Sequence, residues 1–250
     1  MLHACEILEM DNTKPIIIVC LKWGDKYASH YVNKLYFGIK RNTSLPFELH
    51  CFTEDRSGLH DDIHVHNLTH NNIVSWWNKL YLFSNELPFN YGQKIFYIDL
   101  DTIIVRNIDN ILLYNPGKLV VLRDFYTGLA RTVIGNDNVG SGLMSWNHGS
   151  YTSVWDNFIK DPYKAIQSVK PHGDQKWIQH MITDRIYWQD VFPDQISSFK
   201  VHCNNGLPNS TKIICYHGKP NIPESYSKHN RVWKYDIPPQ EWVKKYWRET

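Results

Sequence analysis

Apolar residues fall along this chain in short blocks whose period changes from block to block. Residues 15–21 (Pro-Ile-Ile-Ile-Val-Cys-Leu) form a continuous apolar run rich in β-branched side chains. That is the pattern of a strand covered on both faces. Tyr31, Val32, Leu35, Tyr36 and Ile39 then recur at helical spacing. Residues 47–52 and 63–66 read as two more strands, and Trp76, Trp77, Leu80, Tyr81 and Phe83 as a second helix ending near Pro88. Residues 94–98 predict a fourth strand and 119–122 a fifth. Strands alternating with helices predict an α/β fold, a Rossmann-like domain with a mixed, mostly parallel central sheet flanked by helices. Such sheets bind ligands beyond the carboxyl ends of their strands. The second half is less regular, with strands near 142–146 and 212–216 and helices near 153–160 and 175–182. No repeat or linker interrupts the chain, so residues 1–250 are read as one domain.

Composition narrows the function classes. Across 250 residues the formal charge is +2, which excludes a strongly cationic nucleic-acid scaffold. Ten Trp and fifteen Tyr are a surplus that fills a core or lines a ligand groove. Five cysteines (Cys5, Cys20, Cys51, Cys203, Cys215) form no C-x-x-C pair; Cys20 and Cys51 sit in apolar runs and read as small buried hydrophobes. The first fifteen residues lack a basic start followed by an apolar stretch, and no apolar run approaches the length of a membrane span. A cytoplasmic setting is therefore expected, and the Asn-x-Ser/Thr sites at Asn42, Asn67 and Asn209 read as coincidental. The segment 241–248 mixes aromatics with Lys244, Lys245 and Arg248. It either packs its rings on the body or meets an anionic membrane surface peripherally.

The most informative stretch is Ile95-Phe96-Tyr97-Ile98-Asp99-Leu100-Asp101-Thr102. Two carboxylates separated by one residue follow an apolar strand, where a parallel sheet opens to its crevice, and an extended i, i+2 pair projects to one side. Two such charges repel unless a cation lies near, and oxygen donors suit Mg²⁺ or Mn²⁺ carrying a diphosphate. The same pair also reads as solvated loop acids or a helix cap. A haloacid-dehalogenase-type phosphatase also places aspartates after a strand, but it wants Thr or Val two positions beyond the second, and here Thr102 is adjacent.

Taken in order, Lys79-Leu80, Asp99-Leu100-Asp101, Ile108-Asp109, Gly173-Asp174-Gln175 and Cys215-Tyr216-His217-Gly218-Lys219-Pro220 resemble the sugar-nucleotide transferases of the GT-A fold, glycosyltransferase family 8 in particular. The resemblance spans residues 14–221 and implies a single GT-A domain, with 14–125 as the nucleotide-sugar half and 126–250 as the acceptor half. It implies that Leu21 and Tyr27 hold a uracil ring, and that Asp99, Asp101 and His217 hold the metal. Lys79, Leu100, Ser141, Gly218 and Lys219 would lie along the donor, with Asp174, Gln175 and Lys79 at the reacting sugar. Asp174 equally reads as a cap on the helix behind it, Tyr27 as a core aromatic and His217 as an ordinary histidine. Two departures stand out: the turn near 140 reads Gly140-Ser141-Gly142 where the family has Asn-Ser-Gly, and Lys219 follows His217 by two residues where the family spaces them by about six. The implied activity is metal-dependent transfer of a sugar, with retention, from a UDP-linked donor to a glycan, lipid-linked or protein acceptor. The alternative is an inactive nucleotide-sugar- or glycan-binding module of the same fold.

Overall fold

The computed structural model describes residues 14–68, 70, 72–125, 137–232 and 234–250. Strand β1 (Ile16–Lys22) is buried along its whole length. The reason is position: it lies inside the main sheet, hydrogen-bonded in parallel to β2 (Phe47–Thr53) on one side and to β4 (Lys94–Ile98) on the other. Its side chains alternate between two cores. Ile16, Ile18 and Cys20 pack with helix α1 (Ser29–Arg41), while Ile17, Val19 and Leu21 pack with the segment Ser75–Phe83. An unbroken apolar run is what two covered faces require.

Beyond β2 the sheet ends at β3 (His64–Asn67). On the other flank, β7 (Val139–Asn147) lies antiparallel between β4 and β6 (Leu119–Arg123), and β8 (Arg185–Tyr187) closes the edge beside β6. Among the described residues the order is β3-β2-β1-β4-β7-β6-β8, with four parallel and two antiparallel neighbours. The mostly parallel, helix-flanked sheet is as the sequence predicts, and the second half completes it by inserting β7 beside β4. The chain winds outward in opposite directions from β1 and β4, so the crevice falls at the carboxyl ends of those two strands. A smaller sheet packs below: β5 (Thr102–Ile104), β10 (Ile213–Cys215) and β9 (Ile196–Ser198). Asp99 to Asp101 bridges the two sheets, and the Tyr216 amide donates to the Asp101 carbonyl at 3.0 Å.

The second helix expected at 76–83 is a nine-residue 3₁₀ helix, Ser75–Phe83. Three residues per turn stack Trp77, Leu80 and Phe83 on the same core face, and all three are buried. The carboxyl-terminal segment packs its rings on the body. Helix α9 (Trp242–Tyr246) leads into Trp247, which is buried against Tyr31 at 5.0 Å, with the Lys34 ammonium 3.6 Å from its ring centroid. Arg41 donates to the Tyr246 and Arg248 carbonyls at 3.0 and 3.1 Å. No described helix is long and apolar enough to cross a membrane. Cys20, Cys51, Cys203 and Cys215 are buried free thiols, and Cys5 lies outside the described residues.

Candidate functional site

At the crevice a cavity of about 80 Å³ is lined by Leu21, Trp23, Lys26, Tyr27, Trp76, Lys79, Tyr97, Asp99, Leu100 and Asp101. Six of these were expected at the donor site from the sequence; Trp23, Lys26, Trp76 and Tyr97 were not. Tyr97 was legible in principle, because it precedes Asp99 by two residues and so shares its face of the strand.

The two aspartates are held from different sides. The Tyr97 hydroxyl donates to Asp99 Oδ1 and the Tyr27 hydroxyl donates to Asp101 Oδ2 at 2.7 Å. The Asp99 amide donates to the Gly142 carbonyl at 2.9 Å. A Cβ at Gly142 would stand 3.1 Å from Asp99 Oδ2, so a glycine lets β7 run against this carboxylate. Burial, with the charge of Asp99 adding to it, pushes the Asp101 carboxyl up to about 6. Tyr27 is therefore a partner of Asp101 as well as a ring facing the cavity, and its own hydroxyl is pushed up by burial and by Asp101.

Lys79 is the electrostatic centre. It is 5% exposed, its ammonium 3.2 Å from Asp99 and 3.4 Å from Asp174, and it donates to the Ser141 carbonyl and hydroxyl at 3.3 and 3.1 Å. Burial alone lowers a lysine; here Asp174 and Asp99 outweigh it and raise the ammonium to about 12. Ser141 donates to Asp174 Oδ2 at 2.6 Å. Asp174 opens helix α5 (Asp174–Met181), but the cap residue is Gly173, and the Asp174 carboxylate turns to Ser141 and Lys79. Gly173 has its own constraint: a Cβ there would come 2.9 Å from the Trp76 indole nitrogen.

Other expected residues stand elsewhere. Gln175 is exposed on the first turn of α5 and does not line the cavity. Gly218 takes a left-handed φ of 73°, and Lys219 is exposed and paired with Glu224 at 2.9 Å. His217 stands 2.6 Å from the Ser198 hydroxyl through Nε2, its ring stacked on Phe125. Burial, with Lys200 and His202 nearby, lowers it to about 3. Among the described residues no three His, Cys, Asp or Glu side chains come together as a metal site, and His217 does not stand with Asp99 and Asp101 in such a group. The aspartate pair by itself still fits a hard divalent cation. Mg²⁺-type ions take one or two carboxylates and complete their shell with water and phosphate oxygens, and the mutual repulsion at Asp101 is what a cation relieves.

Comparison with known proteins now bears on this arrangement. No protein-family model and no curated protein matches the chain. Solved structures do match. Glycosyltransferase GlyE of Streptococcus pneumoniae TIGR4 superposes with a TM-score of 0.60 at 14% identity, over 84% of this chain and 56% of its own. The galactosyltransferase LgtC, solved with donor and acceptor sugar analogs, gives 0.57 at 14% identity, over 91% of this chain and 99% of its own. The fold is GT-A. The bifunctional glycosyltransferase WbbM gives 0.55 at 12% identity, over 83% of this chain and 46% of its own. This chain thus spans about half the length of GlyE and WbbM but nearly all of LgtC.

A second cavity, of about 620 Å³, lies beyond the end of β6, with Arg123, Phe125, Gln189, Ser197, His202 and Pro208 among its lining. Arg123 is fixed there by a two-pronged pair with Asp190 at 2.7 Å.

Proposed function

We propose that this GT-A domain is a glycosyltransferase that moves a sugar from a UDP-linked donor to a glycan, lipid-linked or protein acceptor, with retention and with the help of Mn²⁺ or Mg²⁺. One observation carries the reading: Asp99, Asp101 and the buried Lys79 line one cavity at the crevice between β1 and β4, and Lys79 is paired in turn with the buried Asp174. Burying Asp174 and Lys79 together beside two further carboxylates is costly, which favours a functional use of the set.

In this reading Asp99 and Asp101 hold the cation, which would supply Lewis-acid stabilisation of the leaving diphosphate. Tyr97 and Tyr27 hold the two carboxylates in place by one hydrogen bond each. Lys79 compensates Asp99 and Asp174 and fixes them in place, and Ser141 aims the Asp174 carboxylate. Asp174 then accepts hydrogen bonds from the donor sugar. At 80 Å³ the cavity takes an ion and a sugar edge but not a whole nucleotide-sugar, so binding moves its half-exposed rim residue Trp76. We assign the acceptor to the 620 Å³ cavity, whose size and mix of ring and polar groups suit a sugar.

The test is thermal stabilisation by UDP, GDP and CMP, each with and without Mn²⁺, on wild type, Asp101→Asn and His217→Ala. UDP at about 100 times its Kd should add about 2.7 kcal/mol. The reading expects that gain to require both Mn²⁺ and Asp101, and to survive in His217→Ala. Stabilisation unchanged in Asp101→Asn removes the metal role of the aspartates, and no response to any nucleotide removes the donor site.

A further inference from the structure

The donor of a sugar transfer brings a diphosphate into the cavity, and the charges there are unbalanced against it. Two carboxylates, Asp99 and Asp174, pair with one ammonium, Lys79, and a third, Asp101, lines the same cavity as Asp99 and Lys79. That ammonium has no capacity left: it is 5% exposed and its hydrogen bonds and ion pairs run to Asp99, Asp174 and Ser141. A diphosphate cannot bond to Lys79 without stripping a buried acid of its partner. The expected phosphate lysine of the carboxyl-terminal half, Lys219, is taken up by Glu224.

One more cation lines the cavity. Lys26 sits on the loop joining β1 to α1, exposed, its ammonium 4.7 Å from the centroid of the Tyr27 ring. Tyr27 in turn donates to Asp101, so the Lys26 ammonium lies at the mouth of the cavity on the side of the second aspartate. Among the described residues Lys26 makes no hydrogen bond and no ion pair. It therefore combines position on the cavity, positive charge and free donor capacity, which Lys79 lacks.

We infer that Lys26 is the side chain that binds the donor's diphosphate, while Lys79 serves to hold the acids. This rests on the glycosyltransferase reading above. An ammonium on a flexible stem meets a phosphate as a point charge and exchanges water for it at little cost. Such a contact is sensitive to salt, whereas the buried Lys79 pairs are not.

Calorimetric titration with UDP and with inorganic pyrophosphate, both with Mn²⁺, and competition by uridine test this on wild type, Lys26→Gln and Lys26→Arg. Lys26→Gln should weaken UDP and pyrophosphate about tenfold, the size of one charge-assisted hydrogen bond. Uridine, which has no phosphate, should change less than about twofold, and Lys26→Arg should retain most of the affinity because the charge remains. Raising salt should weaken UDP less in Lys26→Gln than in wild type. Equal UDP affinity in wild type and Lys26→Gln overturns the assignment, as does a parallel loss of uridine and UDP, which would mean that the loop itself is disturbed. Wild type that binds neither UDP nor pyrophosphate refutes the donor-site reading instead, and the Lys26 assignment falls with it.

Discussion

Replacing Lys79 by Met gives the sharpest test of how the site is held together. Methionine fills much of the lysine stem's volume, so the change removes the ammonium and little packing. Left behind are Asp174, 5% exposed, and Asp99, a third exposed, which Lys79 now holds at 3.4 and 3.2 Å. At those distances each pair is worth about 5 kcal/mol by Coulomb's law at an effective dielectric near 20. Desolvation of the ammonium cancels much of that. Measured losses on breaking a buried pair are about 3–5 kcal/mol, chiefly the cost of the charge left unpaired. Asp99 keeps its bond from Tyr97 and some access to water, so most of the cost falls on Asp174, which keeps only Ser141. Urea unfolding of Lys79→Met, followed by tryptophan fluorescence, should therefore show a loss of about 3 kcal/mol or more. Lys79→Met combined with Asp174→Asn should recover about 1–3 kcal/mol of it, a coupling that only residues in contact show. A loss below about 1 kcal/mol in the single variant would refute the claim that this ammonium organises the site. A double variant as unstable as the two single losses added together would refute the pairing with Asp174.

Two further changes probe neighbouring features. Gly142→Ala should cost about 1–3 kcal/mol and weaken Mn²⁺-dependent nucleotide binding, because its Cβ would press on Asp99 Oδ2 at 3.1 Å. A variant with wild-type Tm and affinity would show that β7 can shift freely away from Asp99. At the far edge of the sheet, His50 has Nδ1 2.8 Å from His66 and Nε2 3.1 Å from Glu48. Burial lowers it to about 4, with Glu48 opposing the shift and His66 and His64 adding to it. Since the unfolded chain protonates first, near pH 6.5, this stability is complete above that pH and is lost as pH falls toward 4, by up to about 3 kcal/mol. His217, also lowered, adds a loss of the same sign. The pH slope of unfolding free energy should therefore shrink in His50→Gln without vanishing; an unchanged slope would mean that His50 does not titrate on unfolding.

Much of the fold could be read before any coordinates. Residues 94–98 form the strand their apolar run predicts, and the aspartates that follow it do open the crevice. The short strands β5, β8 and β9 escaped notice because three residues carry no period. The 3₁₀ geometry of Ser75–Phe83 escaped for a related reason: spacings of three and four coexist in so short a run, and only packing against the sheet selects one.

The sequence by itself determined the alternation of strands and helices and the position of the Asp99–Asp101 pair, because local periodicity and strand-end chemistry depend on near neighbours. Tertiary structure alone decided who partners whom. It inserted β7 beside β4, which brings Gly142 to Asp99 and Ser141 to Lys79 from 43 and 62 residues further along the chain. It gave Lys79 to Asp174, turned His217 to Ser198 and Lys219 to Glu224, and left Lys26 facing the cavity with no hydrogen bond or ion pair among the described residues. Such assignments depend on distances and burial between remote segments, and a charge's role follows from which other charge it is buried beside, which no local pattern records.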